Sequence, residues 1–122
     1  MPKPIIDIPT EQAPTELVIE DLTVGDGAEA VDGGQVEVHY VGVVYETGEE
    51  FDSSWDRGQS ITFPLSGLIV GWQEGIPGMK VGGRRKLTIP PEKAYGPAGA
   101  GHPLSGRPLV FIIDLLDAKD PS

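Results

Sequence analysis

The sequence predicts an α+β fold in which an antiparallel sheet of five or so strands curls around one short helix. Three observations lead there. Val36, Val38 and Tyr40 alternate with Gln35, Glu37 and His39, the period-2 pattern of a half-buried strand. Only Ile69–Pro77 reads as helical, with Ile69, Trp72 and Ile76 on one face and Gly75 and Pro77 limiting its length. The most apolar run, Leu109-Val-Phe-Ile-Ile-Asp-Leu-Leu116, has the look of a central strand. One short helix can cover the single face that such a sheet must bury.

The elements follow in order. Residues 1–16 hold Pro2, Pro4, Pro9 and Pro14 with little apolar periodicity, and read as a disordered or loosely docked leader. The domain proper is expected over residues 17–118, with a tail at 119–122. Leu17–Val24 is the first strand, closed by the turn Gly25-Asp-Gly27. A second turn, Asp32-Gly-Gly34, leads into the strand Gln35–Tyr45, whose phase slips near Gly42 as at a bulge or bend. Glu46-Thr-Gly-Glu49 turns the chain into a short strand at Phe51 and Asp52. Residues 53–60 read as irregular. Ile61–Leu65 is a strand that Pro64 pushes towards an edge. Arg84–Pro90 is a strand with Leu87 and Ile89 on one side. A loop with four glycines, Gly96, Gly99, Gly101 and Gly106, then leads to the final strand.

Composition narrows the function. A chain of 122 residues makes one domain large enough for a core without covalent staples. There is no cysteine, so disulfides, thiolate zinc sites and a cysteine nucleophile are excluded, and two histidines, His39 and His102, do not make a histidine metal site. The formal charge is −10, and residues 1–56 carry fourteen acidic groups against the single base Lys3. Such a chain repels phosphates and anionic membranes, which argues against nucleic acid or membrane as partner. No apolar run reaches the length of a signal peptide or a membrane span, so a cytoplasmic location is the default expectation, and a monomer the default state.

Catalytic signatures are missing. Ser53 and Ser54 lie beside Asp52 without a nucleophile elbow, and read as turn residues. Gly82-Gly-Arg-Arg-Lys86 lacks the spacing of a phosphate loop and reads as a turn with a solvated basic edge. His39 reads as a structural strand residue. What remains is a surplus of aromatic and aliphatic side chains near loops: Tyr40, Phe51, Ile61, Phe63, Ile69, Trp72, Tyr95, Leu104 and Phe111, with Asp52 and Tyr95 as polar handles. Phe63 reads as plain core. The set describes an apolar pocket with a carboxylate.

Seven segments are more specific. Val38-His-Tyr-Val-Gly42, Gly48-Glu-Glu-Phe-Asp-Ser-Ser54, Gly71-Trp-Gln-Glu-Gly75, Met79-Lys-Val-Gly82, Arg85-Lys-Leu-Thr-Ile-Pro90, Ala94-Tyr-Gly96 and Leu109-Val-Phe111 resemble the FKBP-type immunophilins in order and spacing. The resemblance covers about Leu17 to Ala118. It implies a peptidyl-prolyl cis–trans isomerase, with a curled five- to six-stranded antiparallel sheet wrapped around one short helix and no cofactor. Proline-containing polypeptides would be the substrates and tacrolimus- or rapamycin-type macrolides the inhibitors. By the same resemblance, Trp72 floors the pocket and Tyr40, Phe51 and Phe111 wall it. Leu68 and Ile69 flank the helix start, and the Ile69 N–H holds a substrate carbonyl. Tyr95 offers its hydroxyl to another carbonyl, Asp52 sits near the twisting amide, and Arg57 pairs with Asp52. Ile61 replaces an aromatic of many relatives. The stretch from Phe63 to Trp72 is shorter than in common eukaryotic members, and the flap 97–108 departs from the family pattern, with His102 or Leu104 as its expected contacts. The competing readings are a non-catalytic module that docks a proline-bearing peptide in the same pocket, and a weak general chaperone.

Overall fold

Residues 3–4, 6, 12–96 and 99–120 are described in a computed structural model of the chain. Six strands form one antiparallel sheet: β1 (Val18–Thr23), β2 (Gln35–Val44), β3 (Glu50–Ser53), β4 (Ile61–Pro64), β5 (Arg84–Ile89) and β6 (Leu109–Lys119). Their order is β1-β5-β6-β2-β3, and β4 pairs with β2 off this path. β2 is long enough to serve both neighbours on one edge. Its first half pairs with β4, from Gln35↔Pro64 to Val38↔Ile61, and its second half with β3, from Val41↔Ser53 to Val43↔Glu50. Pro64 therefore lies where no further strand needs its missing N–H. β6 runs centrally between β5 and β2. This is the expected α+β architecture.

The alternation in sequence becomes two faces. Val36, Val38, Tyr40, Leu87, Ile89, Leu109, Phe111, Ile113 and Leu115 form the inner core with Trp72 and Ile76. The helix that covers them, α2 (Val70–Gly75), follows a short helix α1 (Ser54–Arg57) and a 3-10 turn at Leu65–Gly67. α2 lies very close to β5: a Cβ on Gly71 would come within 2.6 Å of Ile89, and one on Gly75 within 2.7 Å of Leu87. Glycine is what lets so short a helix seat itself on the strand.

Two sequence expectations need correction. The stretch 53–60 is not wholly irregular, because Ser53 Oγ accepts from the Asp56 N–H and Gly58 closes α1 in the left-handed region at φ 71°. The basic edge at Arg84 and Arg85 is not solvated. Arg84 donates to both oxygens of the buried Asp114, at 2.6 and 2.8 Å, and Arg85 is itself buried beside Asp21. An arginine run looks solvent-facing in a sequence, whereas here its carboxylate partners come from β1 and β6.

The outer face is also partly covered. Ile6 and Ala13 pack against Val43, Tyr45 and Val110, and Lys3 pairs with Glu50 at 2.7 Å and Asp56 at 2.8 Å. Those two ion pairs hold the Lys3 pKa above its ordinary value, the Asp56 bond contributing most. Ser54, fully buried, accepts from the Tyr40 N–H at 2.7 Å and lies 2.8 Å from His39 Nδ1. His39 stacks on Trp55, as a strand residue with a structural contact.

Candidate functional site

A cavity of about 330 Å³ opens between α2, the inner face of the sheet and the loop after β5. It is lined by Tyr40, Phe51, Asp52, Phe63, Gly67, Leu68, Ile69, Trp72, Tyr95 and Phe111. Trp72 is 3% exposed and lies in the midst of three rings that meet it edge-on. Tyr40 stands 5.2 Å away at 83°, Phe111 5.2 Å at 90° and Phe63 5.8 Å at 88°. Perpendicular ring contacts of this kind are favoured by the ring quadrupoles. Phe51 in turn meets Phe111 at 90°.

Gly42 makes that arrangement possible. A Cβ there would come within 2.6 Å of Phe51 and 2.7 Å of Phe111. The phase slip seen in the sequence corresponds to a register shift between Gly42 and Val43 in the β2–β3 pair.

One wall is polar. The Tyr40 hydroxyl donates to Asp52 Oδ2 at 2.5 Å, Arg57 Nη1 donates to Asp52 Oδ1, and Arg57 Nη2 donates to the Tyr40 hydroxyl at 3.0 Å. Both carboxylate oxygens are thereby engaged. Partial burial pushes the Asp52 carboxyl up, but the hydrogen bonds from Tyr40 and Arg57, the Arg57 charge and the Ser53 N–H outweigh it and hold its pKa below the usual range. Burial, and then the Asp52 bond, push the Tyr40 phenol up. Burial, and then the Asp52 charge, do the same for Tyr95. Both phenols thus remain proton donors at neutral pH.

The start of α2 supplies the remaining edge. The Ile69 carbonyl accepts from the N–H groups of Trp72 and Gln73, so Ile69 caps the helix and its own N–H stands outside the helical ladder. Gln73 Nε2 fixes the Leu68 carbonyl at 2.6 Å.

Of the twelve residues expected from the sequence, Tyr40, Phe51, Asp52, Leu68, Ile69, Trp72, Tyr95 and Phe111 line this cavity. Arg57, Ile61, His102 and Leu104 do not. Arg57 supports Asp52 from behind, and its guanidinium lies 5.7 Å from the Tyr40 ring centroid. Ile61 and Leu104 are half-buried against the core. His102 is exposed and stacks flat on Tyr95, with centroids 4.0 Å apart. Its Nδ1 accepts from the Leu104 N–H, and Ser105 Oγ donates to the Tyr95 carbonyl, so the His102 and Ser105 part of the flap is tied to Tyr95; residues 97–98 of the flap lie outside the described residues. Phe63 corrects the sequence reading: it is a wall of the cavity as well as core. Only its pairing, Phe63↔Val36 in β4, places it there, and that pairing is invisible in sequence.

A wider hollow of about 810 Å³ lies on another side, among Ala13, Tyr45, Glu46, Pro91, Glu92 and Pro108. It brings no group of aromatic rings together. Among the described residues, no three His, Asp or Glu side chains are grouped to hold a metal ion, and no helix is long and apolar enough to cross a membrane.

The inner hollow thus defines a class, an aromatic-walled pocket with a fixed carboxylate at its edge. The model of the family described as FKBP-type peptidyl-prolyl cis-trans isomerase matches residues 27–116. A protein of Corynebacterium glutamicum named "Probable FK506-binding protein" is 75% identical over 118 residues, 97% of this chain and 100% of its own. The FK506-binding protein of Streptomyces anulatus is 49% identical, over 93% of this chain and 95% of its own. The crystal structure of FkpA from Escherichia coli superposes with a TM-score of 0.78 at 42% identity, over 87% of this chain and 49% of that one, so the chain spans about half of that longer protein. The chain belongs to the FKBP-type peptidyl-prolyl cis–trans isomerase family.

Proposed function

We propose that the chain accelerates rotation about Xaa–Pro peptide bonds in polypeptide substrates, without covalent chemistry, in the cavity over Trp72. The observation that carries this reading is the Trp72 ring framed by Tyr40, Phe63 and Phe111 beside a carboxylate whose two oxygens are already engaged. Such a carboxylate is a poor base and a poor nucleophile. It serves as a fixed charge.

Resonance gives the amide a rotation barrier of roughly 18–20 kcal/mol. Twisting removes that resonance and with it part of the charge separation that water solvates. A pocket that excludes water penalises the twisted amide less, relative to the planar one, than bulk solvent does. The proline ring would rest on Trp72 between Phe51 and Phe111. The Tyr95 hydroxyl and the Ile69 N–H would donate to substrate carbonyls, and binding energy from these contacts would favour the rotated geometry. The cavity is at the lower end of the range for small-ligand sites, which suits one proline ring and its neighbours. Tacrolimus-type macrolides would compete for the same floor.

The test is the cis-to-trans relaxation of a short Xaa–Pro peptide with wild-type protein and with Trp72→Leu. Acceleration by the wild type that the variant loses supports the reading. A folded wild type that binds the peptide without accelerating it would instead make the chain a proline-peptide binding module.

A further inference from the structure

We propose that Arg85 is a positioning residue for the isomerase reaction, holding the C-terminal end of α2 so that Trp72 sits at a fixed depth beneath the substrate, and tying that depth to the edge strand β1. The inference rests on the isomerase reading above and extends it to a residue outside the cavity.

Arg85 occupies an unusual place. On β5 it shares the inward parity of Leu87 and Ile89, where an apolar side chain would be expected, and it is 9% exposed. A guanidinium tolerates burial only when its donors are engaged. Here they are. Nε donates to Asp21 Oδ1 at 2.6 Å and Nη2 to Asp21 Oδ2 at 3.3 Å, a forked contact across the β1–β5 register pair Asp21↔Arg85. Nη1 donates to the Gly75 carbonyl at 2.8 Å and, more weakly, to that of Pro77 at 3.3 Å.

Gly75 is the last residue of the helix that carries Trp72, and Pro77 follows just beyond its C-cap Ile76. A six-residue helix has little stability of its own, and the carbonyls of its last turn lack intrahelical partners. A cation at that end also answers the helix dipole. Three successive inward positions of one strand therefore run under α2. Ile89 lies against Gly71, Leu87 against Gly75, and Arg85 reaches the carbonyl of Gly75. Trp72 stands between the two glycines. The contacts at Ile89 and Leu87 are van der Waals contacts, which carry no directional preference of their own. The forked guanidinium adds direction, because its donors have a fixed planar geometry. Stability alone does not call for an arginine here, since the Asp21 carboxylate is 41% exposed and ion pairs open to solvent on one side contribute little.

The test uses the full chain carrying Trp55→Phe, which leaves Trp72 as the sole indole. Arg85→Met and Arg85→Lys are compared with this parent by acrylamide quenching of Trp72 fluorescence and by peptide isomerisation. Arg85→Met is expected to raise the quenching constant about twofold and lower kcat/KM about tenfold, mainly in kcat, with Arg85→Lys intermediate. Should Arg85→Met fail to fold, Asp21→Asn reads the same coupling through the outer partner, with an expected loss of about threefold. Parental quenching and parental kcat in the folded variants would overturn the proposal. An inert parent would sink the isomerase reading alone, because quenching still decides whether Arg85 holds Trp72 in place.

Discussion

Tyr40 and Asp52 share a proton donor–acceptor contact across two adjacent strands, β2 and β3, and Arg57 of α1 closes it into a three-membered ring of hydrogen bonds. The ring keeps Asp52 ionised within a mostly aromatic wall. Because the folded pKa lies below the unfolded one, Asp52 adds stability above the ordinary carboxylate pKa and loses it as pH falls through the folded value. Isomerase activity that needs the charge should follow the same limb. In Arg57→Leu the acid limb of the kcat/KM profile is expected to move to higher pH, and in Asp52→Asn it should vanish at lowered activity. A profile unchanged in both variants would remove the carboxylate from the mechanism.

Trp72 and Phe63 separate floor from wall. Trp72→Leu keeps an apolar floor but loses the flat face, and a fall in kcat/KM of about tenfold or more is expected with an intact circular dichroism spectrum. Trp72→Ala would leave a cavity and cost about 3–5 kcal/mol, which makes it the poorer probe. Phe63→Leu should weaken peptide binding by about threefold. No effect of Phe63→Leu would return that residue to a purely core role.

Gly42→Ala tests the packing that closes the aromatic wall. The added methyl overlaps both Phe51 and Phe111, so the rings must part. Overpacking of this kind costs about 1–3 kcal/mol. Chemical denaturation should show that loss, and isomerase activity should fall with it. A stable, fully active variant would mean that Phe51 moves freely without consequence for the site.

The leader offers a fourth prediction. Deleting residues 1–16 uncovers the outer sides of Val43, Tyr45 and Val110, which Ile6 and Ala13 pack against. Partial exposure of these side chains should lower stability by about 1–2 kcal/mol. Lys3 also joins Glu50 on β3 to Asp56 on α1, the elements that carry Asp52 and Arg57. Lys3→Ala should therefore affect activity more in low salt than in high salt. Unchanged denaturation midpoints after deletion would show that the leader contributes nothing to the domain.

Much of the fold was legible because alternation survives in the sequence. Val36-Glu37-Val38-His39-Tyr40 announces a strand with one buried face, and the Ile69, Trp72, Ile76 spacing announces the helix. What escaped depends on partners distant in the chain. Arg85 reads as a surface base until Asp21 and the end of α2 are brought beside it. Phe63 reads as core until β4 is paired with β2 next to Trp72. The helical turn at Ser54–Arg57 is too short for any periodicity to show, although Ser53 and Gly58 are its caps in plain view. Within the site, Tyr40, Phe51, Trp72, Tyr95, Phe111 and Asp52 were nameable from their segments; His102 was named as a flap contact, but its flat stacking on Tyr95 was not legible.

The central claim is that proline isomerisation takes place on the Trp72 floor. The most direct measurement is peptide isomerisation followed while tacrolimus is titrated in, with Trp72 fluorescence recorded in the same Trp55→Phe sample. Acceleration should be lost at one macrolide per chain, in step with the change in fluorescence. Acceleration that persists once the fluorescence change is complete would place the chemistry elsewhere and contradict it.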